Sequence, residues 1–257
     1  ADAMSTLESC RVISLRHRAE RRETFLRRNG GKVGFAFAEA VDGQNLDRAR
    51  LEADRLVATG TDAFTPGALG CALSHRAAWQ DCVASARPLV VMEDDICLAA
   101  NFRPEAEAAL AVAGHCDILW FGYNLDLPLA VHLAAGVPAL VRPTDAATAG
   151  DAWLESFATV QGFAPPRVAV LRPALLWGLP AYAVTPAGAA RLLAGCFPLR
   201  AHELAVPGGR APSRGIDGAV MALVQAGAVT AACCFPPIAL SANDQSDTEG
   251  AAKRRRT

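Results

Sequence analysis

Leu89-Val90-Val91-Met92-Glu93-Asp94-Asp95 is the stretch on which the reading of this sequence turns. Leu89–Met92 is apolar without alternation, the pattern of a strand covered on both faces, and Pro88 stops whatever helix precedes it. Three carboxylates follow the strand directly, a costly arrangement unless something neutralises them. In extended backbone, residues two apart point the same way, so Glu93 and Asp95 project together and Asp94 lies opposite. Two hard oxygen ligands at a strand's carboxyl end suit Mg2+ or Mn2+, which keep coordination positions for phosphate oxygens. The end of a parallel strand is also where open α/β sheets take their ligands. The competing reading is an ordinary acidic loop, solvated or capping the next helix. On the triplet alone the two stand level, with the buried strand tilting towards a nucleotide-using enzyme.

Working upstream, Thr65-Pro66-Gly67 opens a long helix running to Ala86, with Thr65 as cap and Pro66 in the first turn. Ser74, His75 and Trp79 fall in its interior. Arg11–Leu15 reads as a strand, Ala19–Arg28 as a helix, Phe35–Ala38 as a second strand, and Val41-Asp42-Gly43 as its turn. Downstream, Asn101 caps a helix over Pro104–Val112, and Ile118–Phe121 is another buried strand. Leu125–Ala174 is the least legible region, with strands predicted at Ala139–Arg142 and Val168–Leu171. Ala181–Val184 is a strand, Thr185 caps a helix to Ala194, a helix follows Asp217, and Val229–Phe235 is a strand. This alternation predicts an α/β domain with a mostly parallel central sheet and helices on both faces. A single domain over 1–257 is expected, with its core at about 10–246 and a disordered basic tail over 247–257.

The formal net charge of −1 gives no reason to expect a nucleic-acid partner. The eight cysteines contain no C-x-x-C pair and mostly sit in apolar runs, as buried thiols of a reducing compartment do. No secretory pattern is visible at the N-terminus, and Ala219–Leu240 is too interrupted by Gln225, Gly227 and Pro236-Pro237 to span a bilayer. A cytoplasmic location is expected. Lys253–Arg256 either touches anionic headgroups at the inner membrane or, as the favoured reading, frays into solvent.

Five separate stretches, the acidic one among them, share one order along the chain. They are Val12-Ile13-Ser14-Leu15 with Ala19-Glu20-Arg21-Arg22, then Ala40-Val41-Asp42-Gly43, then Gly70-Cys71-Ala72-Leu73-Ser74-His75 with Trp79. Val90–Asp95 with Leu98 follows, and last come Ala181-Tyr182 with Gly188-Ala189 and Ile216-Asp217. Each is weak alone, but the ordered set resembles glycosyltransferase family 25, which includes bacterial lipooligosaccharide and animal collagen galactosyltransferases. The resemblance runs from about Cys10 to Ser246. It implies a GT-A-like fold, a UDP-sugar donor (typically UDP-galactose), an inverting reaction and help from Mn2+ or Mg2+. It further implies a surface-glycan or lipid-linked glycan acceptor, as in lipopolysaccharide biosynthesis.

Carried over by position, Glu93 and Asp95 match the metal ligands, and Asp94 a group holding the donor's ribose or sugar. Arg21, Arg22 and Tyr182 match residues expected near the donor. Asp217 is the candidate general base; a helix N-cap or a second metal contact are its alternatives. His75 is a candidate catalytic residue, level with a hydrogen-bonded core histidine. Asp244 and Asp247 could reach back to the metal, although a solvated loop is favoured. Trp177–Ala181 departs from the family pattern, where a glycine and a small polar residue are more usual, which leaves substrate identity open. A catalytically silent glycosyltransferase-like binding protein is the alternative; the intact acidic triplet argues against it. A nucleotidyltransferase would open on a glycine-rich phosphate loop, and Val12–Arg22 contains no glycine.

Overall fold

The computed structural model describes residues 6–60, 64–142 and 168–241. The chain opens with strand β1 (Cys10–Ser14), helix α1 (Ala19–Asn29), strand β2 (Ala36–Glu39) and the short helix α2 (Arg48–Ala53). The long helix α3 (Pro66–Ser85) leads into β3 (Leu89–Glu93), β4 (Ile96–Leu98), α4 (Phe102–Ala113) and β5 (Ile118–Gly122). Then come β6 (Leu129–Ala134), β7 (Val137–Val141), β8 (Ala169–Leu175), β9 (Ala181–Val184) and helix α5 (Pro186–Cys196). The last described elements are β10 (His202–Val206), β11 (Gly209–Ser213), α6 (Ile216–Gln225), β12 (Ala231–Phe235) and β13 (Ala239–Ser241).

Local signals account for the helix starts. Thr65 Oγ1 accepts the Ala68 N–H at 3.1 Å, and Thr185 Oγ1 accepts the Gly188 N–H at 3.0 Å, each just ahead of a first-turn proline. Asn101 stands at the N-cap of α4 without a capping side-chain bond; its amide instead reaches Glu105.

Among the described residues the main sheet has 11 strands, with β2-β1-β3-β9-β5-β12-β8-β6-β7 in spatial order and β4 and β13 attached beside β5. β1 pairs in parallel with β2 and β3, and β12 pairs in parallel with β5. β9 is inserted antiparallel between β3 and β5, and β8, β6 and β7 extend the sheet antiparallel. The α/β class and helical cover on both faces are as expected, while β9 at the centre and the outer three strands make the sheet more mixed than the alternation implied. β10 and β11 form a separate hairpin.

Each buried strand feeds both faces by its two-residue period. Val90 and Met92 pack into a layer with Phe25 of α1 and Phe102 of α4. Val91 faces the opposite layer, with Trp79 of α3, Leu192 of α5 and Ala219 of α6. This two-sided burial explains why Leu89–Met92 carries no polar alternation. Each such side chain removed from water contributes about 1.5–3 kcal/mol. No helix among the described residues is long and apolar enough to cross a membrane.

Candidate active site

The carboxyl ends of β1 and β3 lie side by side, with Ile13 in register with Glu93. The chain turns at Asp94-Asp95 before re-entering as β4. Glu93, Cys71 of α3, Gly178, Asp217 of α6 and Ser241 of β13 line one cavity of about 180 Å3, with Arg214 at the same wall. Asp95 neighbours Glu93, and burial first, then Glu93, Asp217 and Asp95, push the pKa of the Cys71 thiol up. Glu93 and Asp217 therefore face one cavity although 124 positions separate them, and Asp95 adjoins Glu93 in the chain.

Asp94 sits in the turn beyond β3 and shares Arg21 with Asp95, so the expected opposition of the two does not hold. Ser14 Oγ donates to Asp94 Oδ2 at 2.7 Å, and Arg21 Nη2 meets Asp94 Oδ1 at 2.6 Å. Arg22 donates to Ser14 Oγ at 3.0 Å and to the Ser14 carbonyl at 2.9 Å, reaches Glu39 at 3.5 Å and stacks over Phe37. Both Asp94 oxygens and both arginines are thus occupied by the protein's own groups. Their immediate work is to fix the acidic turn against β1 and α1, rather than the direct donor contact expected of them. Ser14, which ties the lattice together, was not singled out in the sequence; its signal was a buried hydroxyl ending an apolar strand.

Asp95 is different. Arg21 Nη2 is 3.5 Å from its Oδ2, yet its Oδ1 is buried without a hydrogen-bond partner among the described residues. Burial, then repulsion from Glu93, pushes its carboxyl up to about 7 against the pull of Arg21. Ser241 also hydrogen-bonds the Asp95 side chain, and the unpartnered oxygen is satisfied by a proton or by a cation. Hard carboxylate donors from Glu93 and Asp95, with Asp217 across the cavity, match what Mg2+ or Mn2+ takes, so the residues present fit such an ion.

His75 sits behind Glu93 and is fully buried. Its Nε2 lies 3.2 Å from Glu93 Oε1 and its Nδ1 lies 2.9 Å from the Tyr182 hydroxyl, which accepts from Trp79 Nε1 at 2.8 Å. Indole N–H only donates, so the Tyr182 O–H satisfies every group by donating to His75 Nδ1. The remaining imidazole proton then sits on Nε2 and points at Glu93. Burial raises the Tyr182 hydroxyl well above its ordinary value, which keeps it a donor. Tyr182 and His75 are both sealed from the cavity and orient Glu93 instead of touching substrate. This departs from the expected catalytic and donor-binding roles, because both residues point into the α3–β9 packing layer.

Asp217 is the second residue of α6, and Gly215 occupies the N-cap, so the capping alternative falls away. Asp217 Oδ2 accepts the Gly178 N–H at 3.0 Å, which pins the 176–180 segment to the helix start. Gly178 has φ +77°, and a Cβ there would strike the Asn124 side chain at 2.6 Å, so the departure at Trp177–Ala181 is built around a glycine that the turn requires. Arg214 makes no hydrogen bond or ion pair among the described residues and is the cavity's one cationic lining residue there. Asp244, Asp247 and the basic tail lie outside the described residues.

Residues 8–125 match the model of glycosyltransferase family 25, described as LPS biosynthesis protein. The match takes in Ser14, Arg21, Arg22, Cys71, His75 and Glu93–Asp95, and it ends before Gly178, Tyr182 and Asp217. It is shorter than the span from Cys10 to Ser246 over which the motifs run. No curated protein matches the chain.

Proposed function

Because residues 8–125 match the family-25 model, we propose that the chain transfers a hexose, galactose first among candidates, from a UDP-sugar to a hydroxyl of a surface or lipid-linked glycan. The observation that carries this reading is the buried, unpartnered Oδ1 of Asp95, two residues along the chain from Glu93, which itself lines a cavity with Asp217. Glu93 and Asp95 would hold Mn2+ or Mg2+, and the ion supplies neutralisation of the charge that grows on the departing diphosphate.

The remaining work falls to the protein's own groups. Asp217 accepts the proton of the acceptor hydroxyl as that oxygen attacks the anomeric carbon, a contribution typically of about a hundred- to ten-thousand-fold. A single displacement inverts the anomeric centre and needs no nucleophilic carboxylate on the enzyme. The Gly178 N–H holds one Asp217 oxygen, leaving the other for the proton. His75, backed by Tyr182 and Trp79, fixes the Glu93 carboxylate in one orientation. Arg214, uncommitted at the cavity wall, offers positive charge to the donor phosphates. The location proposed is the cytoplasmic face of the inner membrane, where nucleotide sugars and lipid-linked acceptors meet.

The test is a screen of UDP-hexoses for hydrolysis and transfer by wild type and Asp217→Asn. Wild type turns over at least one donor, while Asp217→Asn binds UDP as before and loses at least a hundredfold in kcat. Absence of turnover with every UDP-hexose would remove the donor class. Unchanged kcat in Asp217→Asn would remove the assigned base.

A further inference from the structure

Cys71 Sγ, a nitrogen of His75 and a carboxylate oxygen of Glu93 lie within 4.8 Å of one another. This donor set differs in kind from the all-oxygen set of Glu93 and Asp95. Thiolate and imidazole select zinc-like cations, whereas carboxylates alone suit Mg2+ or Mn2+. Cys71 and His75 stand four residues apart on α3, so one helix turn presents both to the end of β3. Cys71 and Glu93 also line the cavity, so an ion entering it meets the sulfur and the carboxylate together. No other cysteine has a comparable set of neighbours among the described residues.

We propose that Cys71, His75 and Glu93 form a second cation site, selective for a thiophilic divalent ion such as Zn2+, which shares Glu93 with the hard-cation site and excludes its ion. The sharing clause rests on the transferase reading above; the binding clause does not. Zn2+ takes four ligands, so three protein groups leave one position facing the cavity for water or for Asp217 across it. Binding releases the Cys71 thiol proton to solvent. It also moves the His75 proton from Nε2 to Nδ1, where the Tyr182 oxygen accepts it; a metal-bound histidine ordinarily donates its second N–H in this way. Because the Tyr182 oxygen already accepts from Trp79, its own hydrogen then loses its acceptor. That expense makes the site an inhibitory one filled by excess zinc instead of a permanently loaded structural one. Transfer activity would fall as Zn2+ rises and recover as Mn2+ is raised against it.

Co2+ serves as the spectroscopic probe on the full chain, without donor or acceptor. The site predicts visible d–d bands of tetrahedral intensity with a near-ultraviolet sulfur-to-metal band, both abolished by Zn2+ and the sulfur band missing from Cys71→Ser. A second measurement needs no variant. Zn2+ should protect Cys71, and not the half-buried Cys116, from alkylation by iodoacetamide, as read by peptide mass spectrometry. A wild-type protein without the sulfur band, a band that persists in folded Cys71→Ser, or equal alkylation of Cys71 with and without Zn2+ would each overturn the site. These readouts contain no sugar transfer, so their failure leaves the transferase reading standing. Conversely, a chain inert towards every UDP-hexose would leave the zinc site untouched.

Discussion

Asp95 is buried without a counter-charge adequate to hold it ionised, and the consequence is a measurable pH dependence. Its carboxyl titrates near 7 when folded and near 4 in an unfolded chain, so the folded state binds the extra proton between those limits. Stability of the cation-free protein therefore falls as pH rises from about 4 to about 7 and levels off above. In EDTA at pH 8, Asp95→Asn is expected to be more stable than wild type by on the order of 2–4 kcal/mol, with the gain vanishing near pH 4. Urea titrations at the two pH values check this; equal stability at pH 8 would mean that the carboxylate has a partner already. Tyr182→Phe tests the relay behind Glu93. It strands the Trp79 N–H and His75 Nδ1 in a dry layer, an expected loss of about 1–3 kcal/mol in urea unfolding. The two-residue period of a strand carries only as far as Glu93, because Asp94-Asp95 form a turn, so the direction of Asp95 was not legible from it. The relay was not legible either, because its partners are separated by 107 and 103 positions and nothing in α3 alone distinguishes an orienting histidine from a packed one.

Elements that bury both faces announced themselves, and elements at the margin did not. Leu89–Met92 and Ile118–Phe121 were readable as apolar runs, and α3 and α5 by a threonine cap with proline behind it. The β10–β11 hairpin escaped because Pro212 lies within a strand, where the residue ordinarily argues against one, even though Gly208 at φ +85° marks the turn. The antiparallel direction of β9 was equally hidden, since Ala181–Val184 is buried on both faces and a four-residue apolar run has no direction. α3 reaches its place through close backbone contact. A Cβ on Gly70 would come within 2.6 Å of the Val41 carbonyl and 2.8 Å of the Gly43 nitrogen. Gly70→Ala is therefore expected to cost about 1–3 kcal/mol despite alanine's better helix propensity, by lifting the helix that carries Cys71 and His75. Gly34→Ala, with open space around the added methyl, should stay within about 0.5 kcal/mol of wild type. Equal thermal midpoints for the two variants would refute the close approach.

Across the whole molecule, one sheet gathers groups from distant parts of the chain at the carboxyl ends of its parallel strands. β1 and β3 bring Ser14 and the acidic turn, α3 brings Cys71, and the start of α6 brings Asp217 against the 176–180 segment. The two apolar layers hold that geometry from both faces. The account depends on a divalent cation joining Glu93 and Asp95 to a nucleoside diphosphate. The most direct measurement is the thermal midpoint of the full chain with UDP, compared in Mn2+ and in EDTA. With UDP at about a hundred times its Kd, the predicted gain in Mn2+ is about 2.7 kcal/mol, a rise of roughly 5–10 °C, with no rise in EDTA and none for Asp95→Ala in Mn2+. An equal rise in EDTA, or full protection of Asp95→Ala, would contradict it.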